Sequence, residues 1–475
     1  MSIDRSAVIA AHRFGLGAGA SELASITNPK AWLTAQLSSR FVLPAPAGLP
    51  SPAEYLSSLP HHPKDLPLDQ KKALVVRAYS IYLAECAYRL AAAIKSPDSF
   101  RERLVWFWSN HFTVSSTNNR AIPFLGAFER EAIRPNVTAS FADLLKAAER
   151  HPAMLIYLDN VTNIGPDSRA GELVGRGINE NLAREIMELH TLSVDGGYSQ
   201  ADVIAFAKIL SGWSIVERGN NRGALGANGF AYYRFRHEPG EKVLLGKSFQ
   251  SEDGEEEGMA ALDMLAHHPA TAHFIATKLA RHFIADDPPA ASVQRLEAAF
   301  RDSNGDLKVL YAALIDDPAA WSDDRPKART PLEYIVAVAR GAMPGIADEL
   351  MRFADDALAG NVPIGELKGR KPGPGFGLIA SARIMGQFPF SAPSPKGWPD
   401  GASSWLGADA VFERVEWSYQ VGERIPLPSK VTPIDVAQQL FGPTLSATTQ
   451  EAIARASSPA QGLALLFASP EFQRR

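Results

Sequence analysis

A mainly α protein, bundle-like and globular with a minor β-hairpin, is predicted by three features of the sequence. Apolar residues recur at helical spacing in segment after segment. No alternating apolar–polar run exceeds about six residues. Asn, Ser, Asp or Pro stand where several of these segments begin. Residues 28–37 form a short helix entered through Asn28-Pro29, with proline at the first helical position. Dense prolines between Phe41 and Leu68 predict a surface connection. A long helix covers 69–95, and Ser96-Pro97-Asp98 caps the next one, which runs to His111. Helices follow at 121–133, 140–148, 179–190, 199–211, 258–266, 271–284 and 290–301, then at 307–316, 331–342, 345–359, 434–440 and 459–468. Strands are expected only at 231–236 and 243–245, paired as a hairpin around His237-Glu238-Pro239-Gly240. The Gly- and Asn-rich stretch 217–229 and the Gly/Pro/Lys stretch 360–377 read as linkers. They divide the chain into an N-terminal helical lobe (1–216), a central helical lobe with the hairpin (217–359) and a C-terminal Pro/Gly-rich and helical segment (360–475).

With 475 residues, the chain is long enough for two or three lobes. It carries 48 Lys and Arg against 52 Asp and Glu, a net charge of −4. That balance argues against nucleic acid as a main partner, since phosphate binders carry an excess of base. Cys86 is the single cysteine, so an internal disulfide, a thiolate zinc cage and an iron–sulfur cluster are excluded within one chain. No apolar stretch reaches the ~18 residues needed to span a bilayer. The start, MSIDRSAVIAAHRFGLGAG, shows no charged segment followed by a continuous apolar one, so no signal peptide is read and a soluble, cytoplasmic protein is expected.

Familiar catalytic motifs fail. Gly15-Leu-Gly-Ala-Gly19 follows a helical segment, and its third glycine is misplaced for a dinucleotide fingerprint. The stretch from Gly240 to Gly246-Lys247-Ser248 has five residues between its glycines where a P-loop has four. There is no Gly-x-Ser-x-Gly elbow and no His-Glu-x-x-His helix.

Three constellations survive. On a helical wheel, Glu180, Asn181, Arg184, Glu185 and Glu188 share a polar face, while Leu182, Ile186 and Leu189 line the opposite one, with His190 on the apolar side. Glu185 and Glu188 are spaced to share a metal or a proton. Equally, the face reads as a solvated one laced by Glu180–Arg184 and Arg184–Glu188 pairs. His111 lies in the apolar stripe of Phe100, Leu104, Phe107 and Trp108, so its imidazole points inward and needs a partner. Lys278 falls in the buried arc of Phe274, Ile275, Leu279 and Phe283, where it needs a carboxylate or a depressed pKa unless it reaches the surface. A catalytic set of Glu185, Glu188, His111, Arg184 and Lys278 is therefore expected, with Asn181 and His190 in support. A divalent metal on Glu185, Glu188 and His111 is the expected cofactor. His237, Glu238 and Lys242 make a further polar loop that also reads as an ordinary hairpin tip.

Ala11-His-Arg-Phe-Gly-Leu-Gly-Ala18, Phe107-Trp-Ser-Asn-His-Phe-Thr-Val114, Phe128-Glu-Arg-Glu-Ala-Ile-Arg134 and His151-Pro-Ala-Met-Leu155 occur in that order. Asn179-Glu-Asn-Leu-Ala-Arg-Glu185, Asp195-Gly-Gly-Tyr198, Ser211-Gly-Trp213, Ser394-Pro-Lys-Gly-Trp-Pro399 and Ser469-Pro-Glu-Phe-Gln473 continue the series. In these stretches the chain resembles a bacterial family, domain of unknown function 1800. It departs at Asn136-Val-Thr-Ala139, where that family has a His and a Gly. The resemblance brings no established reaction or cofactor. It implies a partner, a sulfatase-like protein encoded nearby whose relatives carry export signals. Two functions follow as expectations: a metal-assisted hydrolase or oxidase with a Glu/His site, or a non-catalytic assembly or export partner reaching the periplasm by co-export.

Overall fold

A computed structural model describes residues 3–60, 65–175, 177–217, 224–226, 228–362 and 374–475. It is mainly helical, as the periodicity predicts. The helices begin where side chains can satisfy otherwise orphaned amides. Asn28 accepts from the Ala31 amide ahead of Pro29–Gln36, Ser140 from Asp143 ahead of Phe141–Glu149, and Ser199 forms a reciprocal capping box with Asp202 ahead of Gln200–Ile209. The helix Leu68–Lys95 is buried from Ser80 to Ala93. Its alanines at 84, 87, 91, 92 and 93 leave room for close approach, and Ile346–Leu358 packs along it.

Among the described residues, three short π-helical turns interrupt this regularity: Ala10–Phe14, Glu129–Ile133 and Ile186–His190. Such widened turns recur at functional sites. Each brings buried ionisable side chains with it: His12 and Arg13, Glu129, and His190.

The β-structure is small, but its pairing differs from the expected hairpin. Phe230–Tyr232 is the centre of a three-stranded antiparallel sheet between Trp213–Ile215 and Ala224–Leu225. Arg234–Arg236 turns into a 3-10 helix, and Lys242–Leu244 pairs with Lys247–Phe249. The reason lies in Leu245 and Gly246, whose φ values of 51° and 77° make the kind of tight turn that matches strand twist. His237–Gly240 is therefore a connection between two sheets. Gly246-Lys247-Ser248 belongs to the turn and its strand, in keeping with the rejection of a phosphate loop.

Helices Arg5–Ile9, Pro52–Ser58, Pro152–Tyr157, Arg169–Val174, Ala408–Gly422 and Ala447–Ala454 add to those predicted. Buried apolar side chains form one continuous cluster from Ala7 to Phe472, which crosses the boundaries proposed at 216/217 and 359/360. Among the described residues, no helix is long and apolar enough to cross a membrane. Part of the 360–377 linker lies outside the described residues.

Candidate functional site

The helix Asn181–Glu185 passes directly into the π turn Ile186–His190. A wider turn changes the angular step per residue, so the simple wheel holds only as far as Glu185. Within the helix the bracing arrangement is present. Arg184 Nη2 lies 2.7 Å from Glu180 Oε2, and Nη1 lies 3.6 Å from Glu188 Oε1. Glu188 also accepts from the Tyr198 hydroxyl, whose pKa is pushed up to about 12 by burial and by that carboxylate. Asn181 is exposed and donates to the Leu158 carbonyl at 3.3 Å. Glu185 is half-buried and forms no salt bridge among the described residues. Burial, helped by Glu188, raises its pKa against the opposing pull of His190 and Arg184.

His190 and Glu149 are wholly enclosed, and His190 Nδ1 stands 2.8 Å from Glu149 Oε1. Glu149 ends the helix Phe141–Glu149, a separate element from the π turn. His111 points inward from the helix Ser99–His111, as its apolar stripe predicts. Its Nε2 is 3.0 Å from the His190 carbonyl, and a carbonyl accepts only, so the proton sits on Nε2. Nδ1 is left as a buried acceptor with no hydrogen-bond partner among the described residues. Trp108, Phe112, Phe274 and the His190 ring surround it. Burial, then Lys278 and His190, drive the His111 pKa well below its ordinary value, so the ring is neutral.

Lys278 lies on the helix Pro269–Phe283, with Nζ 5.3 Å from the Phe274 ring centre. It has no salt bridge among the described residues, and burial lowers its pKa to about 8 even though Asp400 pulls the other way. Asp400 is held by His282, whose Nδ1 is 2.9 Å from Oδ1. The loop carrying Asp400 is clamped to the end of the His111 helix. Asn110 Nδ2 donates to the Trp398 carbonyl at 2.9 Å, and the Trp398 amide donates back to Asn110 Oδ1 at 2.7 Å. Gly397, at φ 82°, allows the approach, because a Cβ there would lie 2.5 Å from the Asn110 carbonyl oxygen.

The structure thus assembles two overlapping groups: Glu185 and Glu188 with His190, and His111 with His190 and Lys278. It does not gather Glu185, Glu188 and His111 into the expected metal centre. Among the described residues, no three His, Cys, Asp or Glu side chains are placed to hold a metal ion. The physical reason is that His111 spends its Nε2 on a main-chain carbonyl, while Glu188 is engaged by Arg184 and Tyr198. Sequence reasoning missed Glu149, which no motif marks. It also missed Asp400, although Ser394–Pro399 directly precedes it. The His237 loop forms another buried group, with His237 Nε2 at 2.7 Å and Lys242 Nζ at 3.0 Å from Glu257 Oε2. All its charges are paired internally, which suits a structural tie.

A family model described as protein of unknown function, DUF1800, matches residues 9–474. No curated protein and no solved structure matches the chain.

Proposed function

We propose, from the premise that the chain belongs to the DUF1800 family, that it is a hydrolytic enzyme working by proton transfer, with Lys278 as base and Glu185 as acid. One observation carries this reading. Two partly accessible titratable side chains, neither of them in a salt bridge among the described residues, flank the His111–His190 pair. Their environments push both toward neutrality from opposite directions, the pattern that separates an acid from a base in one site. At pH 7 roughly a tenth of Lys278 would be free amine, enough to take a proton from water. Glu185 would return a proton to the leaving group. His111, neutral and enclosed, would fix the His190 main chain between the two groups through its Nε2–H. Glu149 and Asp400 act indirectly, holding His190 and His282 in place.

The test is a survey of chromogenic esters, phosphate esters, glycosides and anilides with the intact protein. The expected result is turnover of one class, with a bell-shaped pH profile whose acidic limb and basic limb are set by the titrations of Glu185 and Lys278. Lys278→Met and Glu185→Gln should each lower it about 100-fold, within the usual range for a lost acid or base, without loss of cooperative unfolding. Turnover of no class, or turnover in either variant equal to that of the unmutated protein, contradicts the reading.

A second reading, a non-catalytic partner of a sulfatase-like neighbour, is favoured by one surface. Val411, Phe412, Val415 and Tyr419 are exposed along the helix Ala408–Gly422, whose other face buries Arg414, Trp417 and Val421. Clustered exposed apolar side chains mark docking surfaces. Under this reading the protein would be periplasmic by co-export, and under the first cytoplasmic. Phe412→Glu should abolish co-purification with the co-expressed neighbour, and unchanged recovery would remove it.

A further inference from the structure

A cavity of about 780 Å³ lies where the helix Arg5–Ile9, the π turn Ala10–Phe14, the segment after Trp321 and the final turn Pro470–Gln473 meet. Val8, Ile9 and Leu445 supply an apolar wall. The remaining lining includes five arginines, Arg5, Arg13, Arg325, Arg474 and Arg475. Three acids face them, Asp323, Asp324 and Glu471.

Two of the three acids are already engaged. Asp323 pairs with Arg5 at 2.6 Å. Glu471 accepts from the Ser446 amide and the Thr449 hydroxyl, each at 2.9 Å. The deeper arginines find few carboxylates. Arg13, 2% exposed, donates Nη1 to the Ala320 carbonyl at 2.8 Å and Nη2 to the Asp324 carbonyl, and its buried Nε has no partner among the described residues. Asp323 and Asp324 reach it only through space. Arg325 donates to Thr444 Oγ1 at 2.7 Å and feels Glu471 through space, and among the described residues Arg474 meets two carbonyls, each at 3.5 Å. Arg475 must share Glu333 with Arg103.

The wall behind adds to the imbalance. His12 Nε2 bonds the Leu440 carbonyl at 2.8 Å, so Nδ1 is the acceptor for Arg329 Nη2 at 2.6 Å. A histidine so placed is neutral, so the leading opposing charge on Arg329 is Glu333, which Arg103 and Arg475 already share. Burial and mutual repulsion accordingly depress Arg13 to about 10 and both Arg103 and Arg329 to about 9. Burying unpaired guanidinium groups is costly, and a multiply charged oxyanion is the partner whose geometry their forks match.

We propose that this cavity binds a small molecule bearing a phosphate or pyrophosphate group, held by Arg13, Arg325 and Arg474, with its organic part against Val8, Ile9 and Leu445. The volume lies in the range of small-molecule sites. The proposal does not depend on the role given to Lys278.

Calorimetric titration of the whole protein with pyrophosphate, inorganic phosphate and phenyl phosphate at about 0.1 M salt tests it. Saturable one-to-one binding that weakens as salt rises is expected. Tighter binding of phenyl phosphate than of phosphate would support an organic ester, and equal binding the free oxyanion. Arg325→Gln and Arg474→Gln should each raise Kd roughly tenfold, while Arg77→Gln, far along the chain on the surface, leaves it unchanged. In the unmutated protein, pyrophosphate should shield Arg325 and Arg474 from phenylglyoxal, read by peptide mass spectrometry. No saturable binding of any of the three, or a Kd in either cavity variant equal to that of the unmutated protein, or no shielding, overturns the proposal.

Discussion

Nδ1 of His190 stands 2.8 Å from Oε1 of Glu149, and neither side chain is exposed to solvent. The pair ties the π turn Ile186–His190 to the end of the helix Phe141–Glu149. His111 then hangs from the same residue through the His190 carbonyl. Loss of the acid should therefore be felt well beyond one contact. Glu149→Ala is expected to cost about 3 kcal/mol, as for a buried polar group stripped of its partner. Glu180→Ala removes only a surface brace and should cost within about 0.5 kcal/mol. Urea unfolding compares them, and equal costs would deny Glu149 its tethering role.

The two proposed catalytic groups leave opposite marks on stability against pH. Lys278 titrates near 8 in the folded chain and at 10.5 when unfolded. Between these values the unfolded state binds more protons, so stability rises with pH, and the penalty is fully present below 8. Lys278→Met should remove that rise and stabilise the protein by about 2 kcal/mol at pH 7. Glu185 has a raised folded pKa, so the folded state holds the extra proton and stability falls as pH climbs from 4.5 through the raised value. Glu185→Gln should abolish that fall, improving stability at pH 7 and not at pH 4. Thermal unfolding at pH 4, 7 and 9 separates the two predictions.

Glu333 shows the reverse sign. Burial alone would raise its pKa, but Arg103 at 2.7 Å and Arg475 at 3.2 Å hold it far below the usual carboxylate range. Its contribution is complete above the unfolded value of 4.5 and drains away as pH falls through the folded value. Glu333→Gln would leave two buried guanidinium groups facing a neutral amide. A loss of about 3–5 kcal/mol is expected, measured as a shift in urea midpoint. A shift near zero would mean the arginines have other counter-charges.

Gly397→Ala tests the loop that carries Asp400. Its φ of 82° and the 2.5 Å approach to the Asn110 carbonyl oxygen leave no room for a methyl group. The variant should fold with lower stability and lose protection from hydrogen exchange at the Trp398 amide, which bonds Asn110. Unchanged exchange there would separate the loop from the His111 helix.

The sequence makes much of this architecture legible, because local rules govern it. Proline and cap residues mark Pro29–Gln36 and Pro331–Ala342, and apolar spacing marks Leu68–Lys95 and Leu307–Asp316. The helix Ala408–Gly422 escapes notice since its apolar residues lie on both faces, Trp417 and Val421 inside, Phe412 and Val415 outside. The π turns escape because their wider step leaves no pattern at helical period. The inward turn of His111 can be read from its neighbours, whereas its partner cannot: His190 is 79 positions away and offers a main-chain atom. Lys278 is legible for the same local reason. Glu149 and Asp400 are fixed by packing between distant elements, so no spacing announces them.

The availability of Lys278 as a base near neutrality is most directly measured by its own titration. Reductive methylation with carbon-13 formaldehyde, followed by nuclear magnetic resonance across pH 6 to 12, resolves the Lys278 methyl signal by its loss in Lys278→Met. A transition near 8 is predicted, moving upward in a variant that opens the Phe274 packing, Phe274→Ala, because burial is the leading cause of the depression. A transition near the ordinary lysine value of 10.5 would contradict the acid–base site.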